Sequence, residues 1–369
     1  MLIKNATVFL NGRFGRTDVR FEDRIEEIGS LKGNGLDAKG KYLIPGLVDI
    51  HTHGAMGSNT CDAVEEGLSK MAAVYASRGV TSFCATSMTY DEATLTAAMR
   101  TAGNFKGGGN VAKCVGINME GPFISPKKKG AQDAKNIFSP DIAMFERLNA
   151  AASGRVRIVD VAPEEEGAME FIREAGKVCA VSLAHTAADY DIARTAFFNG
   201  ANHVTHLFNA MEPFLHRSPG VVGAAFDAGA FVELICDGIH LHPAVIRASF
   251  ALYGANKVCL VSDSMRSAGL ADGEYELGGQ PVFVKMGKAT LVDGTIAGSS
   301  TNVLTALQNC VAFGVPKEQA LLAATLTPAR SIGLESEIGS IERGKLADLL
   351  LTDENFDPIK VFIEGRERA

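Results

Sequence analysis

The sequence predicts a (β/α)8 barrel, in which eight parallel strands form a cylinder surrounded by helices, and three observations support this fold. Short apolar runs rich in Val and Ile alternate with longer, Ala-rich segments whose apolar residues have helical spacing. Strand-then-helix alternation indicates a parallel sheet. Eight such runs in 369 residues match the length of a closed barrel. A doubly wound open sheet is the alternative, and it fits less well because no glycine-rich phosphate-binding fingerprint follows the first strand.

Each predicted element is bounded by residues that start or stop it. Strands are predicted at residues 47–53, 79–86, 113–120, 156–163, 178–185, 203–209, 231–238 and 257–264. Helical segments are predicted at residues 63–78, 91–103, 140–152, 165–176, 189–200 and 243–253, and again at 301–313 and 316–331. Several helical segments end in Gly, the usual stop signal. The Pro45-Gly46 pair separates the first barrel strand from the residues before it.

Both ends of the chain have strand character of a different kind. Residues 1–42 contain short β-like runs separated by turn signals, and residues 344–352 are β-like again. We expect these ends to pair in a small β-sandwich domain of residues 1–46 and 338–369, with the barrel spanning residues 47–337. Residues 270–298 interrupt the barrel pattern with glycine-separated runs, which predicts an insertion of two or three hairpin strands.

The bulk composition excludes several classes of protein. With 46% hydrophobic residues the chain can bury a large core, and a net charge of −7 without a run of either sign gives no indication of nucleic-acid binding. No apolar stretch is long enough to span a membrane, and the first residues lack the apolar segment of a signal peptide. Seven scattered cysteines without a CxxC pair argue against a disulfide framework, so a reducing, cytoplasmic location is expected.

Six of the eight predicted strands end in His, Glu or Asp, and this is the main chemical signal of the sequence. These residues are His51, His53, Glu120, His185, His206, Asp237, His240 and Asp263. The C-terminal ends of barrel strands meet at one rim, where the active sites of such barrels lie. Imidazole and carboxylate groups gathered there match metal-assisted hydrolysis. Each residue alone is explained equally well as a structural polar group, and only the joint placement favours the metal interpretation.

Six short motifs carry a family resemblance: HTH at 51–53, MEGP at 119–122, SLAHT at 182–186, THLFNAM at 205–211, DGIH at 237–240 and VSDS at 261–264. Together they resemble the amidohydrolase superfamily of metal-dependent barrels and, within it, the family of N-acetylglucosamine-6-phosphate deacetylases. The resemblance covers nearly the whole chain. It implies an enzyme of amino-sugar catabolism that hydrolyses the acetamide of N-acetyl-D-glucosamine 6-phosphate, giving D-glucosamine 6-phosphate and acetate.

The resemblance also implies a set of metal ligands. Glu120 stands where many relatives bridge two metals with a carbamylated lysine. The principal ion is expected to bind Glu120, His185 and His206, and a second ion to bind His51, His53, Glu120 and Asp263. Zn, Fe and Mn are all compatible with these donors, and one or two ions are expected. Asp263 is also expected to accept the proton of the attacking water and pass it to the leaving amine; the alternative is a residue that only binds or orients the metal.

Substrate contacts follow from the same resemblance. Those expected around the sugar are Ala131, Gln132, Asn209, Ala210, Ile296, Ala297 and Gly298, and those expected at the 6-phosphate are Arg217 and His240. Gln132 stands where some members carry a histidine that contacts the substrate, and Gln cannot titrate. Arg217 is expected to reach the neighbouring subunit's site, which implies a homodimer; its alternative is a plain surface arginine. Lys127–Lys129 is interpreted as a solvated loop face, with phosphate attraction as the alternative.

Two other functions remain open at this stage. One is a different amidohydrolase, acting on a cyclic amide, an N-acyl amino acid or another acetamido-sugar phosphate. The same metal ligands would serve such an enzyme, so Arg217 and His240 are the residues that distinguish the two. The other is a metal-free relative that serves in binding, which the complete ligand set disfavours.

Overall fold

The computed structural model describes residues 1–368 and contains strands and helices in the predicted alternation. The strands are β1 Leu2–Leu10, β2 Arg13–Phe21, β3 Ile25–Gly29, β4 Leu36–Asp37, β5 Tyr42–Pro45, β6 Leu47–Thr52, β7 Gly54–Ala55, β8 Ser58–Asn59, β9 Val80–Thr86, β10 Lys113–Met119, β11 Val156–Val161, β12 Ala180–Leu183, β13 His203–Val204, β14 Phe231–Ile235, β15 Val258–Val261, β16 Gly273–Leu277, β17 Gln280–Lys285, β18 Lys288–Thr290, β19 Leu349–Thr352, β20 Pro358–Ile363 and β21 Arg366–Glu367. The helices are α1 Glu65–Ser77, α2 Glu92–Asn104, α3 Ile142–Ala151, α4 Ala168–Ala175, α5 Tyr190–Phe198, α6 Gly220–Ala228, α7 Pro243–Tyr253, α8 Val303–Ala312, α9 Lys317–Ala323 and α10 Leu326–Ser331.

Eight strands form the barrel, in the order β6, β9, β10, β11, β12, β13, β14 and β15, and every neighbouring pair is parallel. Backbone contacts just beyond the strand ends close the cylinder. A parallel bridge joins Thr52 to Ser264, and the Asp263 N–H donates to His51 O at 2.9 Å. The predicted (β/α)8 barrel is therefore confirmed.

Strand β14 shows how side-chain alternation fills the barrel. Val232 and Leu234 belong to the large core that also contains residues of the surrounding helices. Ile235 instead belongs to a separate apolar cluster with Ile158 of β11 and Val261 of β15. Successive side chains on a strand point to opposite faces, so residues 233 and 235 face the inside of the cylinder.

Three features of the barrel differ from the prediction. Helix α6 was not predicted, because its sequence GVVGAAFDA is apolar throughout and contains two glycines, which hides helical spacing. The segment predicted at 316–331 is two helices, since Thr325 between them has φ −134° and ψ −85°. Strand β13 is only two residues long rather than seven. The chain turns immediately after it, with positive φ at His206 and Phe208.

The two ends of the chain share one sheet, with strand order β21, β20, β19, β5, β1, β2, β3 and with β4 beside β1. It has its own buried core, which includes Ile3, Val19, Phe21 and Phe362. The sheet curls towards itself, because an antiparallel bridge joins Arg24 to Leu346. The domain limits at residues 46 and 338 stay a prediction.

A buried ion pair joins the barrel to this end sheet. Lys113 Nζ of β10 lies 2.6 Å from Asp348 Oδ2, next to β19. The second carboxylate oxygen of Asp348 accepts the backbone N–H of Glu364 at 2.9 Å. Removing one partner of such a pair is costly because the other charge stays buried.

The insertion after the eighth barrel strand is a three-stranded antiparallel sheet of β16, β17 and β18. Its apolar face, with Leu277 and Val282, packs in one cluster with Met88 and Ala131. The insertion therefore covers the loops at the C-terminal rim of the barrel. All seven cysteines are free thiols. Within residues 1–368, none of the helices combines the length and apolar character needed to cross a membrane.

Candidate metal centre

The predicted ligands lie together at the C-terminal rim, and all are buried. His51 belongs to the last residues of β6, and Glu120 follows β10 directly. His185, His206 and Asp263 each come two residues after the end of a strand, β12, β13 and β15 respectively. Short strands that end in abrupt turns thus bring side chains separated by up to about two hundred residues to one point.

Glu120, His185 and His206 form the first group of possible ligands, with their ligand atoms all within 4.8 Å of one another. The Nε2 atoms of both histidines lie 3.1 Å from Glu120 Oε1. The same two nitrogens are 3.2 Å apart. These are the three residues expected to bind the principal ion, and the structure brings them together.

His51, His53 and Glu120 form the second group, again within 4.8 Å. The Nε2 atoms of the two histidines are 3.3 Å apart. His53 Nε2 lies 3.4 Å from Glu120 Oε2 and 3.2 Å from Asp263 Oδ1. Glu120 thus belongs to both groups, with Oε1 towards His185 and His206 and Oε2 towards His53.

Hydrogen-bond accounting tests whether these residues fit a cation. His185 Nδ1 donates to the carbonyl oxygen of Lys128 at 2.9 Å, and His51 Nδ1 donates to Glu233 Oε2 at 2.8 Å. In a neutral ring the proton on Nδ1 leaves Nε2 with a free lone pair. Both Nε2 atoms point at the centre, beside carboxylate oxygens, which is the arrangement that metal-binding histidines adopt. The donor set therefore fits a divalent ion such as Zn²⁺, Fe²⁺ or Mn²⁺.

The two carboxylates of the centre are held in the charged form. Burial raises the pKa of Glu120, but the imidazoles of His185 and His206 beside it outweigh this and hold the pKa well below its usual value. Burial likewise raises the pKa of Asp263, and the adjacent imidazoles of His53 and His51 outweigh this and lower it overall. Both groups are therefore carboxylates at neutral pH, able to bind a cation or accept a proton.

Three of the clustered residues have backbone conformations that residues other than glycine rarely adopt. The φ angles are 43° at His185, 27° at His206 and 48° at Asp263. Left-handed conformations of non-glycine residues cost about 1–3 kcal/mol and concentrate at functional sites. At Asp263, backbone bonds on both sides hold the turn, since its N–H donates to His51 O and its carbonyl accepts from Ser299 at 2.8 Å.

A cavity of about 420 Å³ opens above the centre. It is lined by residues of both ligand groups and by seven of the nine predicted substrate residues, namely Ala131, Gln132, Asn209, Ala210, His240, Ile296 and Gly298. Ala297 is not among the lining residues and is fully buried in the cluster beneath the insertion. Arg217 lies outside this cavity on an exposed loop, with Nη1 2.6 Å from His216 Nε2.

His240 enters the cavity with a defined ring orientation. Its Nδ1 donates to Asp237 Oδ2 at 2.7 Å, and Asp237 Oδ1 accepts the backbone N–H of Ile239 and of His240, both at 2.8 Å. Asp237 therefore both orients His240 and caps the turn after β14. The other ring nitrogen, Nε2, remains for a ligand.

The lysine-rich loop is closer to the site than its sequence suggests. Lys127 and Lys128 line the cavity instead of only facing solvent. Lys128 pairs with Glu212 at 2.9 Å, and its carbonyl accepts the Nδ1 proton of His185. A run of like charges is usually a solvated face, and the sequence does not indicate that this run folds back over the third strand.

Two further contacts at the centre were not predicted. Gln132 Nε2 donates to Glu120 Oε2 at 2.6 Å, so this side chain contacts a residue common to both groups of possible ligands, as well as the cavity. Glu233, in the middle of β14, accepts from His51. The signal for Glu233 is a lone carboxylate inside the apolar run FVELI, where a charge is costly unless it is paired.

The chain belongs to the amidohydrolase family, whose model matches residues 42–368. It is 38% identical over 330 residues to N-acetylglucosamine-6-phosphate deacetylase of Bacillus subtilis (strain 168), which covers 88% of this chain and 83% of the relative. It is 35% identical over 330 residues to N-acetylgalactosamine-6-phosphate deacetylase of Escherichia coli O157:H7, with 88% and 87% covered.

A solved structure extends the similarity to the whole fold. The N-acetyl-D-glucosamine-6-phosphate deacetylase of Mycobacterium smegmatis, solved as a mutant in complex with N-acetyl-D-glucosamine-6-phosphate, superposes with a TM-score of 0.92 at 29% identity. The match covers 100% of this chain and 99% of that one. The family resemblance drawn from the six motifs is confirmed.

Proposed function

We propose that this protein hydrolyses the acetamide of N-acetyl-D-glucosamine 6-phosphate, releasing acetate and D-glucosamine 6-phosphate in amino-sugar catabolism. The observation that carries this proposal is the convergence of Glu120, His185 and His206 at the bottom of a cavity, in a chain 38% identical to a deacetylase of this substrate. Amide hydrolysis needs a nucleophile, an electrophilic activator and a proton shuttle. The centre offers ligands for an ion that would serve as the activator, and the carboxylate of Asp263 for the proton shuttle.

Glu120, His185 and His206 would hold the principal ion, and His51, His53 and Asp263 would hold a second one together with Glu120. A divalent cation bound there supplies Lewis acidity and lowers the pKa of water to about 7. The arrangement supports this assignment because the ligand atoms of the first group, and those of His51, His53 and Glu120, converge within 4.8 Å. Asp263 Oδ1 lies beside the second group, 3.2 Å from His53 Nε2. Zn, Fe and Mn all suit the imidazole and carboxylate donors.

Asp263 is the proton carrier in this proposal. Its carboxylate accepts the proton of the attacking water and then delivers it to the amine nitrogen as the C–N bond breaks, so one residue serves twice. Two features support the role. Asp263 lines the cavity, and its Oδ1 lies 3.2 Å from His53 Nε2 and 3.6 Å from His51 Nε2, at the edge of the ligand cluster.

The remaining groups would recognise the sugar phosphate. Asn209, Ala210, Ile296 and Gly298 line the cavity where the sugar would lie. His240 leaves Nε2 for the ligand, and its imidazolium form, with a proton on each nitrogen, would donate to a phosphate oxygen.

Arg217 would complete the phosphate site from a second copy of the chain, as a homodimer. Its position outside the cavity of its own chain, on an exposed loop, supports a role in the neighbouring site. A guanidinium matches phosphate oxygens with two parallel donors.

A second substrate is supported by one specific comparison. The Escherichia coli relative at 35% identity is a deacetylase of N-acetylgalactosamine 6-phosphate, which differs from the glucosamine compound only in the configuration at one carbon. Metal ligands and phosphate contacts serve both sugars alike, so the two substrates are to be compared directly.

The experiment is acetate release from purified protein, with four compounds at equal concentration. These are the two N-acetyl sugar 6-phosphates, unphosphorylated N-acetylglucosamine and an N-acetyl amino acid. The proposal expects the highest kcat/KM for the glucosamine 6-phosphate compound and a large loss without the phosphate. Preference for the galactosamine compound would support the second substrate. Preference for the N-acetyl amino acid would contradict both.

A further inference from the structure

Glu233 lies inside the barrel and contacts residues of both ligand groups. It is in the centre of β14, faces inward with Ile235, and is fully buried. A buried carboxylate is expensive to keep unless it is paired or hydrogen-bonded. The hydrogen-bond partners of Glu233 therefore indicate its role.

One oxygen of Glu233 makes both contacts. Oε2 accepts the Nδ1 proton of His51 at 2.8 Å and the backbone N–H of His206 at 3.1 Å. His51 belongs to the group proposed for the second ion and His206 to the group proposed for the principal one. A single atom thus connects the two groups on the side away from Glu120.

These bonds fix the geometry of both residues. The proton on Nδ1 of His51 determines the ring tautomer and directs Nε2 towards His53, 3.3 Å away. At His206, whose φ is 27°, the hydrogen bond from the backbone N–H to Glu233 helps to hold a backbone conformation that residues other than glycine rarely adopt.

The second oxygen of Glu233 makes no hydrogen bond to the described residues. Oε1 lies 4.0 Å from Nδ1 of the buried His203. The side-chain hydrogen bonds of Glu233 therefore go to His51 and His206 alone among residues 1–368.

We propose that Glu233 is a positioning residue that orients His51 and His206 together, so that the two ion sites are formed as a unit. The inference rests on the proposed metal assignment, but it does not depend on the substrate. Removal of partners that orient metal ligands typically weakens metal binding 10- to 100-fold.

Two conservative variants distinguish the effect of the length of the Glu233 side chain from the effect of its charge. In Glu233→Gln the amide oxygen can take the place of Oε2 and accept both protons without the charge. In Glu233→Asp the charge remains, but the side chain is one methylene shorter and cannot reach both donors. Asp18→Asn is the matched control, because it alters another buried carboxylate, in the end sheet away from the centre, while its amide oxygen can still accept the N–H of Asn5.

The measurement is titration of metal-free protein with Zn²⁺ alone, by calorimetry and by metal analysis after dialysis. We expect two equivalents in the unsubstituted protein, binding of both equivalents about 10- to 100-fold weaker in Glu233→Asp, and a change below about 3-fold in Glu233→Gln. The control should bind zinc as the unsubstituted protein does.

Several results would overturn the proposal. They are a single equivalent in the unsubstituted protein, unchanged affinity in Glu233→Asp, or equal or greater weakening in Glu233→Gln. Acetate release from the unsubstituted protein is measured in parallel. If the unsubstituted protein releases acetate and Glu233→Asp does not change zinc affinity, the positioning role is refuted and the proposed function stands. If the unsubstituted protein releases no acetate and Glu233→Asp weakens zinc binding, the substrate assignment alone is refuted.

Discussion

The side-chain amide of Gln132 holds the carboxylate of Glu120, with Nε2 donating to Glu120 Oε2 at 2.6 Å. The carbonyl oxygen of the same amide accepts the backbone N–H of Thr89 at 2.8 Å. Both ends of the amide are therefore engaged, and its orientation is fixed by the Thr89 contact. Gln132 directs one oxygen of Glu120, the carboxylate common to both proposed ligand groups, in addition to lining the cavity.

This contact predicts that Gln132→Leu weakens both metal binding and turnover. Leucine has a similar size but no donor, so Glu120 loses the bond that orients it, and we expect kcat to fall about 10- to 100-fold. The measurements are kcat and zinc content after dialysis. Gln319→Leu, at an exposed position of α9, is the control and should change neither. Unchanged zinc content with normal kcat in Gln132→Leu would contradict the role.

Replacement of Asp263 by asparagine tests the proton carrier. The asparagine side chain would keep an oxygen near the centre but could not accept a proton, so turnover should fall at least about 100-fold while metal content stays largely intact. Acetate release and metal analysis on the same preparation are the measurements. Retained turnover in Asp263→Asn would remove this residue from the catalytic role, leaving that of a ligand.

Removal of the ion tests the metal centre itself. Chelation should abolish acetate release, because no other group in the centre replaces the Lewis acidity of the ion. Chelation should also lower Tm, because an ion that binds only the folded state stabilises that state by about 2.7 kcal/mol when its concentration is 100 times Kd. Zn²⁺, Fe²⁺ or Mn²⁺ should restore both. The double variant His185→Ala, His206→Ala serves as control and should show a smaller Tm response to added ion. Full activity after complete metal removal would refute the metal-assisted mechanism.

Arg217→Ala tests phosphate recognition across the dimer. Loss of a charged donor pair should raise KM for the 6-phosphate substrate about 10- to 100-fold, with little effect on the unphosphorylated sugar. Arg100→Ala, at an exposed position of α2, is the control.

Mixing of two variants, each impaired at low substrate concentration, shows which subunit supplies the arginine. In a mixed dimer of Arg217→Ala and Asp263→Asn, one of the two sites would combine an intact Asp263 with an intact Arg217 only if the arginine acts across the interface. Random exchange would then restore about a quarter of the sites. No recovery after demonstrated exchange would place Arg217 in the site of its own chain or outside it.

Much of this architecture is determined by local sequence. The alternation of apolar runs and helical segments predicts the barrel, and the positions of Glu120 and His185 at strand ends predict that they meet at one rim. The His51-Thr52-His53 spacing predicts two histidines at one strand end. These features depend only on residue type and on short-range periodicity, which is why the sequence suffices for them.

The tertiary structure decided how these residues are oriented and supported. Three features depend on long-range contacts. Glu120 turns one oxygen to each ligand group, and Gln132 orients Glu120. Glu233 connects His206 with His51, which is 182 residues from Glu233 in the sequence. The abrupt end of β13 and the return of Lys128 over the cavity are decided in the same way. Sequence specifies which groups arrive at the rim. The register of the closed barrel and the packing of its loops determine which atom of each group faces which.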